Sequence, residues 1–573
     1  MKGPLSKLWN HPSEQVGLLL AVCLALFFMN LGQWDLWNPD EPRYAQVARE
    51  MVNGGDWILM HFNGQVYADK PPLFFWLVAL SSFLCQGFSS FAVRFPSAFF
   101  GTLTVLLTFL IGRRLFSSRT GLISALVLAT SAEFVYLSTR ANIDATLTFF
   151  TTASLFCFFR WHEDHPPHPH PLPTGERAFG LADGERKSGL ERSKTEGLWI
   201  YGFYAGMGLA TLAKGPVGFL LPLLVCLTYL IAQRDWKRLR EMKLLPGMFL
   251  FLVIVGLWYV PALIKGGKEY FDATLMHHTV ERFAKGSSHI RPFYYYLFNF
   301  PADFLPWFLF LPGAIAYGFS QGVSKKRKEF LFLLIWFGVI FLFFSISKGK
   351  RGLYLLPLFP AVSLMVGKLW EDFISSSMNH FRREWVILPL YGFMGLLLVG
   401  GIAISWFVSM KFHSYLPYSL PVTLLAVGGS IAMFALYRFK LHGAVFILLI
   451  GMMAGIFFYT TRVVFPLVNP YKSARYISQE ITSRIQPGEK LAIYGDFVTA
   501  PYNFYTGIVP ILEMEKREEL VRYLQSRERT FCLLKFRDFD QMQAIEGSNN
   551  IQNIQLIARR KVGGDDMALI SNR

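Results

Sequence analysis

Apolar residues in this chain come in long unbroken runs, not at alternating or 3.6-residue spacing. The runs cover roughly 16–32, 95–112, 120–138, 144–161, 198–213, 216–232, 245–264, 302–319, 330–346, 352–370, 385–408, 417–437 and 442–460. Helices of this length reach across a hydrocarbon layer of roughly 30 Å, so the pattern predicts an α-helical polytopic membrane protein with thirteen transmembrane helices. A further apolar run, 72–88, determines on which side everything after it lies. If it crossed, the basic clusters at Arg113-Arg114, Lys237-Arg238, Lys325 to Lys328, and Arg438 with Lys440 would face outward. If it lies on the outer surface, they all face the cytoplasm together with Lys2 and Lys7, as the positive-inside rule requires. The second reading predicts a cytoplasmic N-terminus, outer loops at 33–94 and 265–301, a cytoplasmic loop at 162–197, and residues 461–573 outside.

Beyond 460 the composition turns soluble. Helical segments (Tyr471 to Ile485, Glu515 to Ser526) alternate with short β-type runs (Lys490 to Tyr494, Thr530 to Phe536, Ile554 to Ala558). Together they predict a small C-terminal α/β domain over 461–573, with no catalytic signature, following a transmembrane domain over 1–460.

Bulk composition agrees. Of 573 residues, 53% are hydrophobic and 17% charged, against about 25% charged in soluble chains. The net charge of +17 sits in short clusters between apolar runs, which is how topology determinants look; nucleic acid is not expected as a partner. The 5 cysteines form neither a disulfide framework nor a zinc-type pair. The first apolar run lacks a small-residue cleavage pattern and reads as a retained span. In the 162–197 loop, His162, His165, His168 and His170 could bind metal, but a flexible Pro- and charge-rich linker is the stronger reading.

Chemistry concentrates in the first outer loop. In NPDEPRYAQVAREM, Asn38-Pro39 marks a turn, Asp40 or Glu41 can cap a helix that Pro42 opens, and Gly54-Gly55 ends it. Asp40 and Arg43 then lie within one helical turn. Tyr67, Asp69 and Lys70 follow, just before two prolines and the ambiguous apolar run. Asp144, Lys214 and the Lys348–Lys350–Arg351 cluster end or begin spans at the same outer depth. A solvated juxtamembrane helix with surface ion pairs would account for any one of these. Their shared depth, with span interiors nearly free of charge, points instead to an enzyme acting on an amphiphilic substrate. A transporter tends to place polar groups near the midplane. Sugar transfer from a polyprenyl phosphate needs a carboxylate to steer or deprotonate the acceptor and cations to hold the leaving phosphate.

The segments NPDEPRYAQVAREM, NGQVYADKPPL, RANIDATL, LAKGP, HHTVERF, PFYYYLFNFPADFLPW and KGKRGLYLLPLFPA resemble, in order, the bacterial aminoarabinose lipid A transferases and the wider protein O-mannosyltransferase-like C-type glycosyltransferases. That resemblance implies Asp40 and Asp144 as catalytic acids, and Arg43, Lys70, Lys214 and Arg351 as ligands of the donor phosphate. Glu41, Tyr67 and Tyr354 would line the substrate pocket. It further implies an inverting transferase that takes an undecaprenyl-type polyprenyl-phosphate sugar and modifies lipid A at the periplasmic face of the inner membrane, as a monomer. Protein hydroxyls or another glycolipid are alternative acceptors, and a lipid flippase without chemistry is the rival class. A zinc or other divalent ion would be held by Asp69 and His278. Here Asp69 stands where the family has a longer Glu, and His277 beside His278 leaves the second ligand open.

Overall fold

The computed structural model describes residues 11–163, 183–274, 289–320, 326–378, 381–546 and 554–573, with the side chains of 183–196 and 544–546 left aside. The chain is mostly helical. Among the described residues, seven helices are long and apolar enough to cross a membrane, and two bent helix pairs raise that number to nine. The first expected span is a short apolar helix over Pro12–Phe28, and Val217–Ala232 is another. The long helix Leu244–Phe271 turns Leu245, Leu257 and Ile264 outward. Outward apolar side chains suit hydrocarbon, where a helix satisfies its own backbone.

Six helices position the site: α1 (Asp40–Gly54), α2 (Leu73–Leu84), α3 (Ser90–Leu115), α4 (Ser118–Ala129), α5 (Ile143–Glu163) and α6 (Asp183–Lys214). The ambiguous run becomes α2, whose 12 residues span only about 18 Å at 1.5 Å per residue. That is too short to cross. It packs on α1 instead, with Tyr44 edge-on to Phe74 and Phe75 at 5.6 and 5.7 Å.

The span expected at 120–138 is broken near its middle, a second break falls at the start of the span expected at 302–319, and the two breaks meet. α4 bends by 70° into Ala132–Ser138, and Tyr295–Asp303 bends by 112° into Trp307–Gly318. The first break has a local cause: Thr130 and Ser131 donate their hydroxyls back to the carbonyls of Leu126 and Val127, at 2.7 and 2.8 Å. Side-chain hydroxyls that bond one turn back compete with the helix ladder and bend it. At the second break, Pro306 has no N–H to give. The breaks then satisfy one another. The Ala132 amide donates to the Leu305 carbonyl at 3.0 Å, and the Trp307 indole donates to Thr130 at 3.1 Å. Hydropathy registers neither bend, because all four segments are apolar.

Outside the helices, a small hairpin (β1 His61–Phe62, β2 Gln65–Val66) follows α1. The C-terminal part is built on five strands: β3 (Lys490–Tyr494), β4 (Leu512–Met514), β5 (Thr530–Lys535), β6 (Gln555–Val562) and β7 (Asp565–Ser571). Their order is β4-β3-β5-β7-β6. β3 runs parallel to β4 and β5, and β7 runs antiparallel to both its neighbours. Side chains alternate between two cores, Leu491, Ile493, Phe531 and Leu533 on one face and Ala492, Cys532 and Leu534 on the other. This domain grips α1 and the hairpin that follows it. Asn63 accepts from the Ile511 amide at 2.7 Å and from Asn503 at 2.9 Å, and Arg49 donates to the Phe504 carbonyl at 2.7 Å.

Candidate active site

Asp40 and Glu41 stand in the first turn of α1, with Pro39 in the N-cap position and no side chain capping the helix. The expected cap is therefore corrected: both carboxylates reach away from the helix end to arginines. Gly55, at φ +70°, ends α1 in the left-handed conformation that glycine tolerates.

Asp40 accepts from the Arg351 guanidinium at 2.8 Å. Tyr296 donates to the Arg351 carbonyl at 3.1 Å and holds that backbone. Burial works against the charge on Arg351, but Asp40 outweighs it and keeps the guanidinium protonated beyond its ordinary range. Of the neighbouring lysines, Lys350 turns away and donates to the backbone carbonyls of Ser347 and Arg291.

Asp144 is the second residue of α5. Its amide donates to the Asn142 side chain at 2.7 Å, and its carboxylate pairs with Lys214, the last residue of α6. Gly215, at φ +89°, turns the chain immediately afterwards. The Lys214 ammonium lies 4.3 Å from the centre of the Tyr354 ring, a favourable seat for a cation. Asp69 faces Lys70 at 3.4 Å and accepts from the Tyr67 hydroxyl at 3.4 Å.

These pairs form one cluster. The buried Tyr44 feels the charges of Asp40, Asp144 and Arg351 together with the Tyr67 phenol. Arg43 and Asp40 act on Tyr67, and Lys70 and Arg351 on Lys214. Burial, first of all, holds the phenols of Tyr44 and Tyr67 protonated well above the ordinary tyrosine range. Arg43 makes no hydrogen bond or ion pair among the described residues. Beside the cluster opens a cavity of about 360 Å³ whose lining includes Asp69, Lys70, Lys214 and Tyr354 together with Leu212, Val217, Trp258, Phe343 and Phe344. Cations set among apolar side chains suit a phosphate on a lipid tail.

Two expectations need correction or stand apart. Glu41 does not line this cavity. It is 1% exposed and accepts from Arg94 at 2.7 and 3.0 Å and from Arg140 at 3.1 Å. Burial alone would raise its pKa, but Arg94 and then Arg140 hold it down at about 2. Sequence reading named neither arginine, although an Arg at the head of an apolar helix is itself a signal. As for the metal, His277 and His278 lie outside the described residues. Asp69, the other expected ligand, lies beside the Lys70 ammonium and the Tyr67 phenol. Among the described residues no three His, Cys, Asp or Glu side chains gather as a metal would need. Of the loop histidines only His162 is described, 3.5 Å from Asp235.

Comparisons with known proteins bear on the family and the fold. The family profile described as dolichyl-phosphate-mannose-protein mannosyltransferase matches residues 15–277. The undecaprenyl phosphate-alpha-4-amino-4-deoxy-L-arabinose arabinosyl transferase of Pseudomonas aeruginosa is 30% identical over 434 residues, 75% of this chain and 72% of the relative. An uncharacterized protein of Aquifex aeolicus is 28% identical over 479 residues, 83% of each chain. Among solved structures, ArnT from Cupriavidus metallidurans bound to undecaprenyl phosphate superposes with a TM-score of 0.76 at 21% identity, covering 97% of this chain and 98% of that one. At that identity the likeness speaks for the fold.

Proposed function

The chain belongs to the undecaprenyl phosphate-aminoarabinose arabinosyl transferase family of membrane glycosyltransferases, and from that premise we propose that it moves a monosaccharide from undecaprenyl phosphate to lipid A. The carrying observation is the set of three acid–cation pairs, Asp40–Arg351, Asp144–Lys214 and Asp69–Lys70, beside an apolar-walled cavity.

The acceptor oxygen attacks the anomeric carbon from the face opposite the phosphate, so the configuration inverts. The bond from that carbon to the phosphate oxygen breaks, and its electron pair leaves on the phosphate. Arg351, Lys214, Lys70 and Arg43 take up the growing charge, the arginines by a fork and the lysines as point charges. Asp40 orients the acceptor with Asp144 assisting. Towards a hydroxyl Asp40 also accepts the proton; towards an already ionised lipid A phosphate it has little proton to take and acts by position. Tyr67 and Tyr354 wall the donor side. The active site and C-terminal domain face the periplasm and the N-terminus the cytoplasm of the inner membrane. A reporter fused after Arg573 should be active only in the periplasm, and cytoplasmic activity would reverse the orientation.

A second acceptor, a protein Ser or Thr hydroxyl, is favoured by the family profile that matches residues 15–277. One assay separates them. Purified protein in detergent receives undecaprenyl phosphate-linked 4-amino-4-deoxy-L-arabinose with either lipid A or a Ser/Thr peptide, and products are weighed by mass spectrometry. A pentosamine increment on lipid A is expected. Increment on peptide alone would establish the second acceptor, and none with any undecaprenyl-linked sugar would end the proposal.

A further inference from the structure

We infer that Glu41, clamped by Arg94 and Arg140, is a positioning residue that holds Asp40 and Asp144 in register for transfer. The inference rests on the proposed roles of those two aspartates.

Arg94 is wholly buried and uses all its donors. Its Nε and one Nη2 hydrogen reach Glu41 at 2.7 and 3.0 Å. The others reach the carbonyls of Leu31, Trp34 and Asp35 at 3.0, 2.8 and 2.7 Å. Its guanidinium lies over the Trp34 ring at 4.3 Å. Glu41 is equally full. Besides the two arginines, it accepts from the amides of Trp37 and Ala141, both at 3.0 Å. A buried ion pair of this kind adds little stability over a well-packed apolar pair, so its value here lies in the geometry it specifies.

That geometry joins the segment before α1, the start of α1, helix α3 and the 139–142 turn. Asp40 is the residue before Glu41. Asp144 comes three residues after Ala141. One turn beyond Arg94, Ser97 makes a second tie to the same turn: its hydroxyl accepts from the Asn142 amide at 2.9 Å and donates to the Asn142 carbonyl at 3.1 Å. The Asn142 side chain in turn accepts from the Asp144 amide. Helix α3 thus acts as a template. Arg94 sets Asp40 through Glu41, and Ser97 sets Asp144 through Asn142, although the two acids come from segments about a hundred residues apart. The clamp touches neither the cavity nor the phosphate cations, so its loss should misplace the acids without removing them. A misplacement of 1 Å can cost about 100-fold in rate.

The test compares Glu41→Gln and Ser97→Ala with the unchanged protein in detergent. Melting temperature monitors folding, tryptophan fluorescence monitors binding of undecaprenyl phosphate, and turnover is measured at saturating donor. Glu41→Gln should lower kcat about 100-fold and Ser97→Ala about 10-fold, with the Kd for undecaprenyl phosphate within about threefold of the parent and the pH profile of kcat unmoved. Ser97→Ala introduces no unpaired charge, so it carries the test if Glu41→Gln fails to fold. Parental kcat in a folded variant would overturn the inference. So would loss of undecaprenyl phosphate binding in step with kcat, since the clamp would then support the donor site as a whole. If the unchanged protein transfers no sugar, it is the proposed function that fails, and the two failures remain distinct.

Discussion

Asp40 and Glu41 are consecutive carboxylates in one helical turn, yet they sit in opposite surroundings. Among the described residues Asp40 accepts one hydrogen bond, from a partly exposed Arg351 at the edge of the site. Glu41 is sealed among two arginines and two amides with no oxygen left over. The same contrast separates the two regions they belong to. Around the cavity, acids and cations meet pairwise, at 2.8 Å for Asp40 with Arg351 and 3.4 Å for Asp69 with Lys70. Beneath it, α3 and the turns it touches hold a charge network with nothing left to offer a ligand. Charge alone therefore does not identify a reacting group; unspent hydrogen-bonding capacity towards an open space does.

The largest effect should come from breaking the buried region. Arg94→Ala strands Glu41 without its main partner, at a cost of about 3–5 kcal/mol. Little folded protein should survive extraction, measured by yield and melting temperature; a normal melting curve would mean the clamp is dispensable. Acid probes the same network. Glu41 ordinarily titrates near 4.5 and is held at about 2 in the folded chain. Its contribution, about 3 kcal/mol, is complete above 4.5 and fades as the pH falls towards 2. The melting temperature should drop over that window, and a folded Glu41→Gln protein should lack this part of the drop.

The site region should respond in the opposite manner. Asp40→Asn keeps the shape and removes the charge, so turnover should fall about 100-fold or more with the melting temperature nearly unchanged. Normal turnover by a folded Asp40→Asn protein would remove the centre of the mechanism. A smaller effect is expected at Lys214. Lys214→Gln removes one charged contact to the phosphate, worth about 1.5–3 kcal/mol, so undecaprenyl phosphate should bind about 10- to 100-fold more weakly. Unchanged affinity would assign Lys214 to Asp144 alone and take it out of the phosphate site.

Much of the site was readable in advance because its residues mark boundaries. Asp40, Lys70, Asp144, Lys214 and Arg351 all interrupt apolar sequence at the ends of helices, where charge is conspicuous. Three β-type runs in the soluble part also became strands, near Lys490, Thr530 and Gln555. The short β4 and the final β7 escaped notice; β7 carries Asp565 and Asp566 at its start, which disguises its apolar half. The cap assigned to Asp40 or Glu41 failed for a different reason. Capping is a local preference worth about 1 kcal/mol, and three arginines from distant segments, Arg94, Arg140 and Arg351, outbid it.

Hydropathy and charge by themselves determined the membrane class and most of the helical runs, and favoured a segment at 72–88 that does not cross. These are properties of neighbours along the chain, written in the transfer cost of each residue. Tertiary structure alone decided which acid meets which cation. Asp40 and Arg351 are 311 positions apart, and Lys214 and Asp144 are 70 apart. It also decided that two spans break against one another and that Glu41 belongs to the scaffold. A carboxylate has the same side chain in either role, and only the packing around it settles whether its hydrogen bonds go to the protein or remain for a substrate.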